Sequence, residues 1–541
     1  MILTTLDNTG VVFICKCATM SEYMSKRNNV LFVLLVSLLC ACQKQYIYDA
    51  PSNYIPLESP KDTISSVTPL VVEPIEGVNI KTGVTEFKSL SDVSRAFDSK
   101  YINLRSNAFD PTQIIEQKML VVPVYFTDSS VANDSSLRET KKELINNAFF
   151  ADETGSTYQS VASYYNRSSY GHLRLSGEVT PWISLEESSN DALSQGKNKP
   201  EDYVDKVVKK IFEKLPNAET YLDNNSTNVD GMLDSLFIVY DYPYTKEHSE
   251  NSLFWAFSSH HQTLTAGVSS YSWASFDFLG EKVLENYKVD ATTYIHEVGH
   301  LFGLLDYYND SGLSSYQPTG FMDMMDYNLG DHSPISKYLL NWTSPIVLDM
   351  GEESKKSITI KSFTDSGDFI LVPRGSYNGT AYDKYLLISF FTPTGLNDMH
   401  GYPSYVYYDK EGNQQVFNYP NKYGVLVHEI DARLAYFKSE VIRNITPTCY
   451  INEVPAAGNY VINFYHDNSI NSDSDTPFVH LLESSGNNTF KDGFGASNKT
   501  LFKLGSTFGV DTFKELSQEC GVTFQVSKLT LNEAKITFSK I

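Results

Sequence analysis

The stretch Thr292–Asp310, TTYIHEVGHLFGLLDYYND, sets ionisable side chains into an apolar run. Ile295, Val298 and Phe302 recur at helical spacing and form one core-facing stripe. Burying charged residues beside that stripe is costly unless they pair or bind a metal. His296 and His300 are one turn apart, so both imidazoles project together, at the spacing that lets two nitrogens meet one zinc ion. Glu297, next to the first histidine, can reach a metal-bound water without binding the metal. Asp290 suits the N-cap of a helix running from Ala291 to about Gly303. Gly303 tolerates a positive φ, so it can end that helix sharply and swing Asp306 back as a third ligand.

A catalytic zinc needs three protein ligands and one open position. The full pattern His296-Glu297-x-x-His300-x-x-Gly303-x-x-Asp306 supplies them in the elongated metzincin-type arrangement. The rival layout takes its third ligand from a glutamate some twenty residues further on, yet no glutamate lies between Glu297 and Glu352. Metzincins also place a methionine in a turn beneath the metal. The segment GFMDMMDYNLGDH offers Met322, Met324 and Met325, of which Met325 is the expected turn residue. Tyr327 follows it at an offset from which a tyrosine can stabilise an oxyanion. Two histidines on an amphipathic helix, with no metal, are the bland alternative. Gly303, Asp306 and the Met-rich turn weigh against it.

The N-terminus suggests an export signal. Lys26 and Arg27 precede an apolar run, Val30 to Leu39, too short to span a bilayer and suited to a signal-peptide core. The run ends in Leu39-Cys40-Ala41-Cys42, which resembles the bacterial lipoprotein box, with Cys42 as the lipidated residue. A plain secretory signal or an uncleaved anchor is the alternative. Met24 is a natural start for such a signal, which would make residues 1–23 an upstream extension. The formal charge of −22 argues against nucleic acid as a partner, because a phosphate-binding face must be basic. The expected setting is the bacterial cell envelope, as a lipid-anchored outer-membrane or surface protein, or a secreted one, and the chain reads as a monomer.

A chain of 541 residues exceeds one compact core. The expected division is an extension and signal over 1–41, a Pro- and Ser-rich tether over 42–77, and an N-terminal segment over 78–117 that could be a pro-segment. A zinc metallopeptidase domain then covers 118–345 and a β-rich domain 346–541. Within the former, Met119–Asp128 and Met232–Asp241 read as buried strands. Between them Val204, Val207, Val208, Ile211, Phe212 and Leu215 fall on one helical face. Beyond Trp342, strand-like runs such as KYLLISFF and GVLVHEID are separated by Gly, Asn, Asp and Ser turns. The expected fold is thus an α+β metzincin-like zinc peptidase domain followed by a β-rich, sandwich-like C-terminal domain. Cys449 and Cys520 could pair, or remain buried thiols.

Taken together, the sequence resembles the immune inhibitor A family of secreted bacterial metallopeptidases. Besides the zinc helix, SVASYYNRSSYGHLRLSGEVTPW (Ser160–Trp182), NSLFWAFSSHH, YLLNW (Tyr338–Trp342), KYLLISFF and GVLVHEID are similar to segments of that family. The resemblance implies zinc ligands His296, His300 and Asp306, with Glu297 catalytic. It also implies calcium in an acidic loop between a helix and a buried strand, here DNNSTNVDGMLD, with Asp223, Asn225, Asp230 and Asp234 as oxygen donors and a solvated turn as the alternative. The expected reaction is hydrolysis of protein or peptide substrates by a water that Glu297 deprotonates, Glu297 then passing the proton to the leaving amine. A catalytically silent adhesin or glycan-binding lipoprotein on the same fold is the alternative function, and a zinc hydrolase of non-peptide substrates another. His260 and His261 read as a surface pair, His332 is not required as a ligand, and His428 reads as structural.

Overall fold

A computed structural model describes residues 114–541, apart from internal segments of which 223–230, 245–252, 261–267, 309–315, 438–448, 452–459 and 464–476 are the longest. The signal-like run, Cys42, the tether, most of the 78–117 segment and the four calcium candidates Asp223, Asn225, Asp230 and Asp234 lie outside the described residues.

The first sheet has the order β2-β1-β4-β6-β5, with β3 also beside β1. Its strands are β1 (Ile115–Tyr125), β2 (Leu173–Val179), β3 (Ile183–Ser184), β4 (Leu236–Asp241), β5 (Phe257–His260) and β6 (Ser270–Ser275). All pairings are parallel except β5 with β6. β1 starts four residues before the expected Met119, because the Ile115 N–H already bonds to the His172 carbonyl and Gln117 is anchored to Ser235. The end of the 78–117 segment is therefore sheet.

Both faces of this sheet are covered, which explains why β1 and β4 read as unbroken apolar runs rather than alternating ones. Met119 and Val121 face one core with Phe237 and Val239, while Leu120, Val122 and Val124 face a second with Ile238 and Trp273. On the first face lie α1 (Ser135–Phe150) and α2 (Val161–Ser168). Asp134 caps α1 through the Leu137 N–H, and Ser160 and Ser163 form a reciprocal capping box on α2. On the second face lies α3 (Glu201–Lys214), which buries Val204, Val207, Val208 and Ile211. Phe212 was expected on that stripe but is 39% exposed: one residue past Ile211 turns the helix about 100° away from the core.

After position 345 the chain is β-rich. A five-stranded sheet has the order β17-β13-β10-β9-β7, from β7 (Ile346–Val347), β9 (Phe369–Pro373), β10 (Lys384–Phe391), β13 (Gly424–Asp431) and β17 (Val479–Leu481). A four-stranded sheet, β18-β19-β20-β8, uses β8 (Lys355–Lys361), β18 (Thr507–Phe508), β19 (Val522–Leu529) and β20 (Glu533–Lys540). Smaller sheets comprise β11 (Tyr405–Tyr408) with β12 (Gln414–Phe417), and β14 (Leu434–Phe437) with β15 (Cys449–Ile451) and β16 (Tyr460–Asn463). The five- and four-stranded sheets share an apolar core of Ile370, Leu386, Ile388, Val425, Val427, Ile536 and Phe538. Leu371, Tyr385, Leu387 and Ile430 point the other way, into the core that holds the helix bearing His296. One hydrophobic core thus spans position 345. Cys520 is a free thiol.

His428 has the same strand parity as Ile430, on the side facing that helix. Burial pushes its imidazole down to about 4, against the pull of Asp323. The unfolded chain, titrating near 6.5, therefore takes up more protons than the folded one between about pH 4 and 6.5. Stability from this residue is complete above that window and is lost as pH falls through it. With metal chelated throughout, His428→Met should flatten the fall in Tm between pH 6.5 and 4.5 relative to the native chain. Parallel Tm curves would contradict this account.

Candidate metal centre

The helix α4 (Thr292–Leu301) carries the two histidines. It begins one residue later than expected, with Ala291 at the N-cap, while Asp290 accepts the Thr292 N–H at 3.1 Å and its hydroxyl at 2.8 Å. Its exit is a Schellman turn. The Leu304 N–H reaches back to the Gly299 carbonyl at 3.0 Å, the Gly303 N–H bonds to the His300 carbonyl at 2.8 Å, and Gly303 has φ 84°. That reversal carries Asp306 back alongside the helix.

The turn brings three donors together: ligand atoms of His296, His300 and Asp306 all lie within 4.8 Å of one another. Asp306 Oδ1 stands 3.0 Å from His296 Nε2 and 3.3 Å from His300 Nε2. The other ring nitrogens face backbone carbonyls, His296 Nδ1 that of Met324 at 2.9 Å and His300 Nδ1 that of Leu304 at 2.9 Å. A carbonyl only accepts, so each Nδ1 must carry the proton, and in a neutral ring Nε2 then holds a lone pair. Two lone pairs and a carboxylate aimed at one point are the donor set of a divalent cation, with the carbonyls as the outer partners that fix tautomer and ring angle. Without an ion, burial alone would lower the His300 pKa, but Asp306 outweighs it and drives it up to about 9. Burial would raise Asp306, yet the two imidazoles hold it well below the carboxylate range.

Glu297 projects from the same helix and is buried at 5% exposure. Burial raises its carboxyl pKa, a rise partly offset by His300 and His296. Its Oε2 accepts a hydrogen bond at 3.1 Å from Ser258 of β5.

Beneath the helix run α5 (Met324–Tyr327) and α6 (Pro334–Leu339). The Met325 carbonyl accepts the Tyr307 N–H at 2.8 Å, and the Met324 carbonyl is the His296 partner already described. A methyl group on Gly299 would stand 2.5 Å from Met325 Sδ and 3.1 Å from the Tyr165 hydroxyl, so this helical position has room only for glycine. Asp323 holds the turn, accepting the Met325 and Ser333 N–H groups at 2.7 Å each, with His332 Nδ1 3.8 Å away in the buried interior. Burial pushes Asp326 up to about 7 against hydrogen bonds from Thr319 and the Phe321 N–H. Tyr327 packs its ring on Phe321 and Tyr405, 4.5 and 5.2 Å between centroids, in an aromatic cluster with β11 and β12. Tyr308 stacks on His296, with centroids 6.3 Å apart.

Sequence reading missed Ser258, Tyr308 and Gly299. Tyr308 lies two residues past Asp306 and was open to notice; Ser258 depends on a strand remote in sequence. Among the described residues no helix is long and apolar enough to cross a membrane. No family model matches the chain, and no curated protein matches it.

Elemental analysis of the chain dialysed against trace zinc should give one zinc per molecule, and the same for Glu297→Ala. Asp306→Ala or His300→Ala should lose it, weakening affinity by at least about a hundredfold. Gly299→Ala should lower Tm, because either Met325 or the helix must move. Full zinc retention by both ligand variants would remove the metal assignment.

Proposed function

We propose that the chain is a zinc-dependent endopeptidase of metzincin-like type, akin to the immune inhibitor A metallopeptidases. The observation that carries this reading is the convergence of His296, His300 and Asp306 beside the buried carboxylate of Glu297. A zinc ion held by those three residues supplies Lewis acidity, which lowers the pKa of water from near 16 to about 7 and polarises a carbonyl.

The chain's own residues do the rest. Glu297 takes the proton from the attacking water as the new C–O bond forms, then delivers it to the amine nitrogen, and the peptide C–N bond breaks in that second step. Water is the nucleophile, and no covalent enzyme intermediate arises. The Met324 and Leu304 carbonyls keep both imidazoles in the tautomer that offers Nε2. Among the described strands β5 ends the sheet order and pairs only with β6. Its outer edge suits an extended peptide added as a further antiparallel strand, with backbone groups binding substrates of varied sequence. Tyr308, stacked on His296, stands beside the donor set.

The same reading places the protein at the bacterial cell envelope, lipid-anchored through Cys42 or secreted, as a monomer, with calcium at Asp223, Asn225, Asp230 and Asp234 as an added cofactor. A silent binding lipoprotein would use the same fold, but a binding surface has no chemical task for a buried glutamate beside metal donors.

Incubation of the zinc-loaded full chain with a mixed peptide library should yield defined cleavage products. Glu297→Ala should lower turnover by at least about a thousandfold while keeping its zinc. Equal product from both proteins, or none from either when both hold one zinc, would refute Glu297-dependent peptide hydrolysis.

A further inference from the structure

The Ser258 hydroxyl lies at the meeting of three elements. It stands 2.8 Å from the Glu297 carbonyl oxygen, 3.1 Å from Glu297 Oε2 and 2.8 Å from the hydroxyl of Ser272 on β6. Ser272 is fully buried and lies 3.3 Å from the same Glu297 carbonyl. Register explains the pairing: Ser258 and Ser272 are directly opposed across the antiparallel β5–β6 ladder. Their side chains therefore rise together on the face where α4 packs.

Proton counting decides the arrangement. Each hydroxyl has one hydrogen to give. The Glu297 carbonyl is already an acceptor within the helix ladder. Ser272, with no carboxylate in reach, gives its hydrogen to that carbonyl or to Ser258 Oγ. With that carbonyl already served by the helix ladder, Ser258 has its own hydrogen for Glu297 Oε2, 3.1 Å away. In either case Ser258 serves Glu297 Oε2 and Ser272 stands behind it. A glutamate side chain has three rotatable bonds, and this chain fixes one of its two carboxylate oxygens.

We propose that Ser258, backed by Ser272, is a positioning residue that holds Glu297 Oε2 and so presents the other carboxylate oxygen for proton transfer. The inference rests on the peptidase reading for its catalytic consequence, though not for its geometry. It also gives β5 a second task. The strand that offers its edge to an extended peptide carries on its face the hydroxyl that orients the base, so substrate seating and base alignment depend on one four-residue element.

The test uses the zinc-loaded full chain with Ser258→Ala and Ser258→Thr, each measured for zinc content, Tm, kcat and KM on a library-derived peptide. Ser258→Ala should lose about tenfold in kcat, with KM, zinc content and Tm little changed. Ser258→Thr, which keeps the hydroxyl, should recover to within about threefold of the native kcat. Crystal structures of both variants supply a reading independent of turnover: the Glu297 carboxylate should leave its position in Ser258→Ala and keep it in Ser258→Thr. Native kcat in Ser258→Ala, an equal loss in both variants, or an unmoved Glu297 carboxylate in Ser258→Ala would each overturn the proposal. If the native chain proves as inactive as Glu297→Ala, the peptidase reading fails, and the carboxylate position alone still decides whether Ser258 holds it.

Discussion

The metal-donor set depends on a single backbone reversal, the turn at Gly303. With φ at 84°, that residue occupies the region a side chain disfavours, and it lets the Leu304 and Gly303 N–H groups close back on the last turn of α4. The same reversal does two jobs. It returns Asp306 to within 3.0–3.3 Å of both imidazoles, and it aims the Leu304 carbonyl at His300 Nδ1. Ligand supply and ligand tautomer thus come from one local geometry. A change that opened the turn would withdraw the carboxylate and free the His300 proton together.

The support beneath the helix is not local. The Gly330 carbonyl accepts hydrogen bonds from Tyr158 and Tyr164, 3.2 and 3.1 Å long, and the Asp331 N–H bonds to Asn397 at 3.1 Å. Asp331 also pairs at 2.6 Å with Lys337, whose ammonium is fully buried and lies over the Tyr170 ring. Such a pair adds little net stability against an apolar substitute, but losing one partner strands a charge in the core. Its effect is to fix the segment of α5 and α6 between the end of α2 on one side and the chain beyond 345 on the other. The five-stranded sheet has the same role on a larger scale, feeding alternate residues of β9 and β10 into the core of the site helix and into the core beneath the four-stranded sheet. The β-rich half thus walls the core that holds the histidine-bearing helix.

What could be read from the sequence follows the range of the interactions. The histidine spacing, the glycine turn and Asp306 form a pattern closed within eleven residues, and local rules of helix geometry suffice to draw it. The buried strands β1, β4, β10 and β13 announce themselves because double-sided burial leaves long apolar runs. The start of β1 at Ile115 was hidden, because Glu116 and Gln117 look like the end of a polar segment until Ser235 is brought beside them. Phe212 looked like core because periodicity marks a stripe and not its edge. Tyr327 was singled out by offset alone, and its ring is set by Tyr405, nearly eighty residues later. Ser258 could not be found locally, since its role exists only through strand register with Ser272 and packing against α4.

Electrostatics joins these pieces. Glu297 is a buried carboxyl close to the Asp306 carboxylate; its pKa is shifted upward by burial and further by Asp306, against the pull of His300 and His296. The imidazoles relieve this only if protonated, which would consume the very Nε2 lone pairs that the Met324 and Leu304 carbonyls are placed to preserve. A divalent cation held there would resolve the conflict, because it would neutralise Asp306, use both lone pairs and favour an ionised Glu297. The backbone favours one proton arrangement, and a divalent cation would balance it electrically. Binding energy for such an ion would then also be folding energy for the Gly303 turn, since the unfolded chain has no such donor set to offer.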